Sequence, residues 1–166
     1  MSTVQASLTD ARREIDGMIR SATDCTDCWT TPRAPGKWSP SQVVEHVARS
    51  FEASAIDVSG ARSKFPDMPR LVRPILRAML FRRVLRTGTF PKARTNKAMN
   101  PERGSESPDA AIERLEATWS AFSSACAAAG ERGDVAKSRI FGDVPLSDYI
   151  RFQGFHTRHH RAQMRG

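Results

Sequence analysis

The chain has 166 residues, 39% of them apolar and 27% charged, which is the size and composition of one soluble globular domain. No apolar run approaches the roughly 18 residues that a membrane span needs, and residues 1–20 lack the apolar core of a secretory signal. The length predicts a single domain, residues 1–166. Three cysteines are too few for a disulfide framework, so we expect a reducing, cytoplasmic compartment.

The net charge of +8 is concentrated in one segment. Residues 62–97 hold eleven basic side chains and one acid, Asp67, for a net charge of +10, whereas the rest of the chain sums to −2. The favoured interpretation is a connecting helix that packs its Leu/Ile/Met face on the protein and leaves its arginines in water. The alternatives are a role in attracting an anionic substrate and, least expected, binding to a membrane or nucleic acid.

The first half of the chain predicts two long amphipathic helices. Apolar residues from Val4 to Ala22 recur at alternating spacings of four and three, which places them on one face of a helix. Ser39 begins a capping box with proline at the first helical position, and Gly60 supplies a stop signal. The second helix is therefore predicted over Pro40–Ser59.

The second half predicts two more long helices. One begins after Ser107 and is closed by Gly130, and the last runs from about Ser147 to the end of the chain. A shorter helix, 74–86, lies in the basic segment. Residues 137–144 have strand character but are too short for a sheet. The pattern indicates an all-α four-helix bundle with a basic, Pro-punctuated insert that contains an extra helix between helices 2 and 3.

The last helix gathers the chemically interesting side chains on one face. On a helical wheel, its histidines lie opposite its arginines, so the histidines are predicted to point into the bundle. The predicted solvated face carries Arg151, Arg158, Arg161 and Arg165. The predicted inward face carries Tyr149, Phe152, Gln153, His156, His159, His160 and Gln163.

Two of these histidines have the spacing of metal ligands. His156 and His160 are four residues apart, so their side chains stack one turn apart and can share an ion. His46, on the second helix, can add a third imidazole. Three protein ligands with an open position are typical of catalytic zinc sites. The alternative is a set of buried histidines that Tyr149 and the two glutamines satisfy by hydrogen bonds.

Two segments resemble the signatures of the DinB/YfiT-like metal-binding four-helix bundles. The first is Gly-Lys-Trp-Ser-Pro-Ser-Gln-Val-Val-Glu-His-Val, residues 36–47. The second combines Phe-Gly at 141–142 with Phe-His-Thr-Arg-His-His-Arg-Ala-Gln at 155–163. The resemblance covers nearly the whole chain. The sequence departs from the family pattern at 138–140, where Ser-Arg-Ile replaces a His-Pro often found before the Phe-Gly turn.

The resemblance implies the metal ligands and the residues around them. By position, His46, His156 and His160 would bind one divalent metal, with zinc expected before nickel, iron or manganese. His159 would be a neighbour and not a ligand. His159, Tyr149, Gln153 and Gln163 become candidates for orienting the ligands, and no catalytic residue is assigned.

The resemblance also implies a function. Relatives include bacillithiol transferases and a mycothiol-dependent maleylpyruvate isomerase, in which the metal activates a low-molecular-weight thiol. This protein is accordingly expected to be a homodimeric, metal-dependent thiol S-transferase or hydrolase acting on a small electrophile, for which an anionic compound is one candidate. The alternative is a metal-binding bundle without turnover.

Cys25 and Cys28 form a C-x-x-C pair. A structural zinc site would need two further ligands nearby, and the sequence offers none. We therefore interpret them as ordinary cysteines at a helix end, with a reversible disulfide as the alternative.

Overall fold

The computed structural model of the chain describes residues 3–61, 67–91, 99–133 and 135–164. In chain order its elements are α1 (Thr3–Asp24), a 3₁₀ turn (Thr26–Cys28), α2 (Pro40–Ser59), α3 (Arg73–Leu76), a π-helical turn (Arg77–Phe81), α4 (Arg82–Thr87), α5 (Pro108–Glu131), β1 (Ala136–Ser138), β2 (Gly142–Val144) and α6 (Leu146–Arg161). The predicted all-α fold is confirmed, with α1, α2, α5 and α6 as its long helices. None of the described helices is both long and apolar enough to cross a membrane.

The bounds of α2 agree with the prediction because its local signals are strong. Ser39 Oγ accepts a hydrogen bond from the Gln42 amide, and the Gln42 side chain accepts one from the Ser39 amide, which completes the capping box. Pro40 occupies the first turn. Gly60 ends the helix in the left-handed conformation, with φ of 72°. These local contacts fix where His46 lies along α2.

Two predicted helix ends are wrong. Gly130 does not close α5, which continues to Glu131. The glycine with positive φ after this helix is Gly133, at 70°. Gly130 instead permits close helix packing, since a Cβ there would lie 3.2 Å from Val4 Cγ1. The last helix ends at Arg161 and is followed by a turn at 162–164.

The stretch with strand character does form a sheet, contrary to the prediction. β1 and β2 pair antiparallel, with Lys137 opposite Asp143. Ser138 Oγ accepts hydrogen bonds from the amides of Ile140 and Phe141, which stabilises the turn between the strands. A hairpin this short depends on its packing against the bundle, and β1 contacts α2.

The four long helices pack in two parallel pairs. In the pair of α2 and α5, Glu45 contacts Arg114 near both helix starts, and Phe51 contacts Phe122 further along both helices. Two consecutive long helices can run parallel only if the chain between them returns along the bundle. The segment of 60–107 makes this return, which explains why a long insert separates α2 from α5.

In the other pair, α1 and α6 run parallel and are joined by ion pairs that the helical wheel did not predict. Glu14 on α1 lies 4.0 Å from Arg158 and 3.4 Å from Arg161 on α6. The predicted solvent-facing position is wrong for Arg161, whose side chain is 24% exposed, whereas the Arg158 side chain is 44% exposed, as predicted. Arg151 is exposed as predicted, and Arg165 lies outside the described residues.

The helical run of 73–87 has two different apolar faces. Its inner face packs on the core through Phe81 and Val84, which are 2% and 0% exposed, and Phe81 stacks against Phe152 of α6. The prediction that the Leu/Ile/Met face packs on the bundle is wrong for three side chains that point outward, namely Leu71, Ile75 and Met79. Five basic residues of this segment lie outside the described residues: Arg62, Lys64, Lys92, Arg94 and Lys97.

Candidate metal centre

The antiparallel crossing of α2 and α6 brings the predicted histidines together. His46, in the first half of α2, meets His156, in the second half of α6. At the other end of the same helix pair, Tyr149 meets Asp57. Residues that are 110 positions apart in the sequence thus become neighbours because of the direction in which the two helices pack.

His46, His156 and His160 form a group that can hold a metal ion. One side-chain nitrogen from each lies within 4.8 Å of the other two. The Nε2 atoms of His46 and His156 are 3.2 Å apart. Two nitrogens bound to one tetrahedral zinc, each at 2.0–2.1 Å, would be about 3.4 Å apart. The spacing of this pair therefore fits a shared ion with almost no movement.

Hydrogen bonds leave the ring nitrogens of two of these residues available as ligands. His46 Nδ1 donates to the Met99 carbonyl at 2.8 Å, so its Nε2 carries a lone pair. His160 Nδ1 donates to Gln163 Oε1 at 3.2 Å, which again leaves Nε2 with a lone pair. Metal-binding histidines are oriented by the same kind of partner on the other ring nitrogen.

His156 is the histidine whose environment is least satisfied by protein groups. Because His46 carries its own proton on Nδ1, His156 Nε2 must donate in the contact between them. The other nitrogen, His156 Nδ1, is buried and has no hydrogen-bond partner in the described part of the chain. For both Nε2 atoms to bind one ion, His156 would carry its proton on Nδ1 instead of Nε2, so the unpartnered Nδ1 is not the ligand nitrogen.

Burial keeps the three imidazoles neutral, which is the form that coordinates metals. Burial lowers the pKa of His156 well below its ordinary value, and the neighbouring imidazoles lower it further. Burial likewise lowers the pKa of His160 to about 3. The pKa of His46 is also lowered by burial, although its bond to Met99 opposes the shift. The donor set therefore fits a divalent metal at neutral pH.

His159 lies beside the group but its Nε2 atom is engaged elsewhere. Gln163 Nε2 donates to His159 Nε2 across 3.2 Å, while Gln163 Oε1 accepts from His160. One glutamine thus connects the two adjacent histidines and places both in the Nδ1–H tautomer, with Nε2 of His159 engaged and Nε2 of His160 left free. Gln163 is in the position expected of a residue that orients a metal ligand, and His159 is outside the group of three.

Two other predicted supporting residues do not contact the histidines through hydrogen bonds. The Tyr149 hydroxyl donates to Asp57 Oδ2 at 3.0 Å and lies 3.1 Å from Ser54 Oγ. Its predicted role in orienting an imidazole is therefore wrong, because it belongs to a separate buried network with Asp57 and Arg139. Gln153 is buried, and its side chain makes no hydrogen bond to any of the four histidines, all of which are described.

Two aromatic side chains that sequence reasoning did not assign to the site flank the histidines. The Trp38 ring centroid lies 4.8 Å from that of His46 and 5.9 Å from that of His160. Phe90, which follows the helical run of the insert, has its ring centroid 5.6 Å from that of His156. Trp38 precedes the helix cap and lies two helical turns before His46, which is the signal that points to it. These rings exclude water from two sides.

Trp38 and Trp29 have different environments. Trp38 is half-buried beside the histidines. Trp29 is only 4% exposed and donates from Nε1 to the Ser105 carbonyl at 2.8 Å. Its indole therefore fastens the connection after α1 to the segment that leads into α5.

Glu45, next to His46 in sequence, serves the helix packing and not the histidines. Its side chain is only 11% exposed. Its carboxylate accepts from Arg49 at 2.8 Å and from Arg114 of α5 at 2.7 Å. These ion pairs hold α2 against α5.

The C-x-x-C pair lies apart from the histidine group. Cys25 is half-buried and Cys28 exposed, and both are free thiols. Burial raises the pKa of Cys25 to about 11, so its thiolate is disfavoured at neutral pH. Within the described residues neither cysteine joins a cluster that could hold a metal.

Comparison with known proteins identifies the family to which the chain belongs. A family model described as the DinB superfamily matches residues 7–164. No curated protein and no solved structure matches the chain. Because the family match runs from the first turns of α1 to beyond the end of α6 and includes all three clustered histidines, the chain belongs to the DinB superfamily.

Proposed function

We propose that this protein binds one divalent metal ion through His46, His156 and His160 and acts as a metal-dependent thiol S-transferase or hydrolase on a small electrophile. The observation that carries the proposal is the convergence of three neutral imidazoles, each with a ring nitrogen within 4.8 Å of the other two. Zinc is the first candidate, because it prefers nitrogen ligands in sites with three protein donors and an open position.

Residues of the protein would bind the ion, orient the histidine ligands and limit the access of water. Met99 and Gln163 hold His46 and His160 in the tautomers that leave Nε2 free. Trp38 and Phe90 cover the imidazoles with apolar surface, which strengthens electrostatic interactions at the site. A divalent ion held there would act as a Lewis acid and lower the pKa of a thiol or water at its open position.

The test begins with the metal and then asks for turnover. Purified protein is reconstituted with zinc, nickel, iron or manganese, and bound metal is measured by elemental analysis. Each form is then given a panel of low-molecular-weight thiols with a chromogenic electrophile, and separately the electrophile in water alone. We expect one metal per chain and metal-dependent consumption of the electrophile in at least one combination.

The control is a matched pair of variants on the same helix. His156→Ala should lose both metal and turnover, whereas His159→Ala should keep both, because His159 is outside the group of three. Metal binding without turnover across the panel would support the second candidate, a non-catalytic metal-binding bundle. Absence of metal would contradict both. The anionic substrate, for which the basic segment of 62–97 is the reason, and the homodimer that the family resemblance implies remain predictions.

A further inference from the structure

An exposed apolar patch on the insert is unlike the rest of the surface. Leu71, Ile75 and Met79 are 88%, 56% and 71% exposed. They recur every four residues on the outer side of the helical run of 73–87 and of the turn that precedes it. Pro74 and Ala78, between them, are also exposed. We call these five residues the outer patch. A cluster of aliphatic side chains held outward by helical structure marks an interaction site.

The outer patch is not spare core surface. The same helical run already has an inner face, on which Phe81 and Val84 are buried. Phe81 packs between Phe141 and Phe152, so the helix cannot rotate to bury the outer patch without exposing these rings. The outward position of Leu71, Ile75 and Met79 is therefore set by the packing of the inner face.

Arginines border the outer patch at both ends. Residues 68–88 contain six arginines and no acid. Arg70 is exposed at the start of the patch, and Arg82, Arg83 and Arg86 are exposed where it ends. Aliphatic side chains flanked by exposed arginines on one helix face are the pattern of a helix that lies in the interface of an anionic membrane.

We infer that the outer patch docks this protein on the surface of a bilayer that contains anionic lipid. The helix would lie parallel to the surface, with Leu71, Ile75 and Met79 among the acyl chains and the four arginines at lipid phosphates. Both halves of the surface find a complement there, since lipid offers an apolar layer directly beneath a negatively charged one.

The arginines that border the outer patch argue against two other binding partners. In a twofold contact the patch would meet its own copy, and exposed arginines of one chain would face those of the other without an acid on either helical run. A nucleic acid would bind the arginines through its phosphates, but its backbone offers no apolar surface to the five residues of the outer patch. Neither partner uses both features.

The test is vesicle co-sedimentation of the full-length protein. Vesicles of phosphatidylcholine alone are compared with vesicles that contain about 30% phosphatidylserine, at about 50 and 500 mM salt. We expect binding to the anionic vesicles, little to the neutral ones, and weakening by salt. Arg83→Gln should lower the partition coefficient about fivefold, the factor that corresponds to about 1 kcal/mol per basic side chain near an anionic surface.

The decisive variant removes apolar surface and leaves the charge unchanged. Ile75→Ser combined with Met79→Ser should lower the partition coefficient at least about tenfold, because both side chains would no longer insert into the acyl region. Both are exposed, so an unchanged thermal melt is expected. Val135→Ser is the matched control, since Val135 is an exposed aliphatic residue beside the hairpin, outside the patch.

Three results would overturn the inference. The first is no binding to anionic vesicles at low salt. The second is binding that the arginine variant weakens but the serine double variant does not, together with equally tight binding to duplex DNA, which would indicate a phosphate-binding surface. The third is a dimer in solution that the serine double variant converts to a monomer, which would identify the patch as a contact between copies of this chain.

Discussion

His160 and Gln163 are joined at the end of α6 by a hydrogen bond of 3.2 Å from His160 Nδ1 to Gln163 Oε1. The bond forms just where the helix gives way to the turn at 162–164. It fixes one imidazole of the histidine group in the tautomer that presents Nε2, and the amide nitrogen of the same glutamine occupies Nε2 of His159. The Gln163 side chain thus leaves Nε2 of the proposed ligand, His160, free and engages Nε2 of its sequence neighbour, His159.

Gln163→Leu should therefore lower metal affinity by about 10–100-fold, the usual effect of removing a partner of a metal-bound histidine. The matched control is Gln153→Leu, which changes a buried glutamine of α6 that makes no hydrogen bond to a histidine. Competition with a chromogenic chelator measures both affinities. Equal losses in the two variants would show that the hydrogen bond to His160 does not matter.

The four histidines should divide three to one in metal binding. Replacing His46, His156 or His160 by Ala should each reduce affinity by more than the roughly 10–100-fold expected for an outer partner. His159→Ala should change it by less than about tenfold, since His159 is outside the group. Elemental analysis after gel filtration gives the stoichiometries. A full loss of metal in the His159 variant would mean that the wrong member of the adjacent pair has been chosen.

Tyr149→Phe should affect stability and leave metal content unchanged. The hydroxyl that is removed bonds to Asp57, so the buried carboxylate loses one donor and keeps its ion pair with Arg139 at 2.7 Å. Loss of one buried hydrogen bond to a charged group should lower the free energy of unfolding by about 1.5–3 kcal/mol. Urea denaturation and elemental analysis of the same preparation test both statements, and a fall in metal content would return Tyr149 to the metal centre.

The metal-free protein should lose stability as the pH falls below about 6.5. Unfolded imidazoles take up protons near that pH, whereas burial holds the pKa of folded His160 at about 3 and lowers the pKa of His46 and His156. Between about pH 6.5 and the lowered pKa of the folded histidines, the unfolded state therefore binds more protons than the folded state. The free energy of unfolding consequently decreases as the pH decreases. Each such histidine contributes up to about 1.4 kcal/mol per pH unit.

Urea unfolding in excess chelator between about pH 7 and pH 4.5 measures this slope. His160→Gln, which removes one of the titrating groups, should make the slope shallower by about 1.4 kcal/mol per pH unit. An identical slope in the variant and the wild type would mean that folded His160 takes up its proton in the same range as the unfolded chain.

The sequence alone determined the local features of this protein. The capping box at Ser39, the stop at Gly60 and the apolar stripes predict the long helices, because each signal acts within one or two helical turns. The spacing of His156 and His160 predicts that they share a helix face for the same reason. The end of α5 was misplaced because Gly130 serves a contact with Val4 of α1, which local spacing does not contain.

Only the tertiary structure decided which groups meet across helices. On the helical wheel Tyr149, Gln153 and Gln163 share a face with the histidines, yet only Gln163 bonds to them. Tyr149 bonds to Asp57 instead, because α2 and α6 run antiparallel. The outward position of Met79 likewise follows from the packing of Phe81 on the core. Helix periodicity specifies a direction from the helix axis, and the partner found in that direction depends on how separate helices are placed relative to one another.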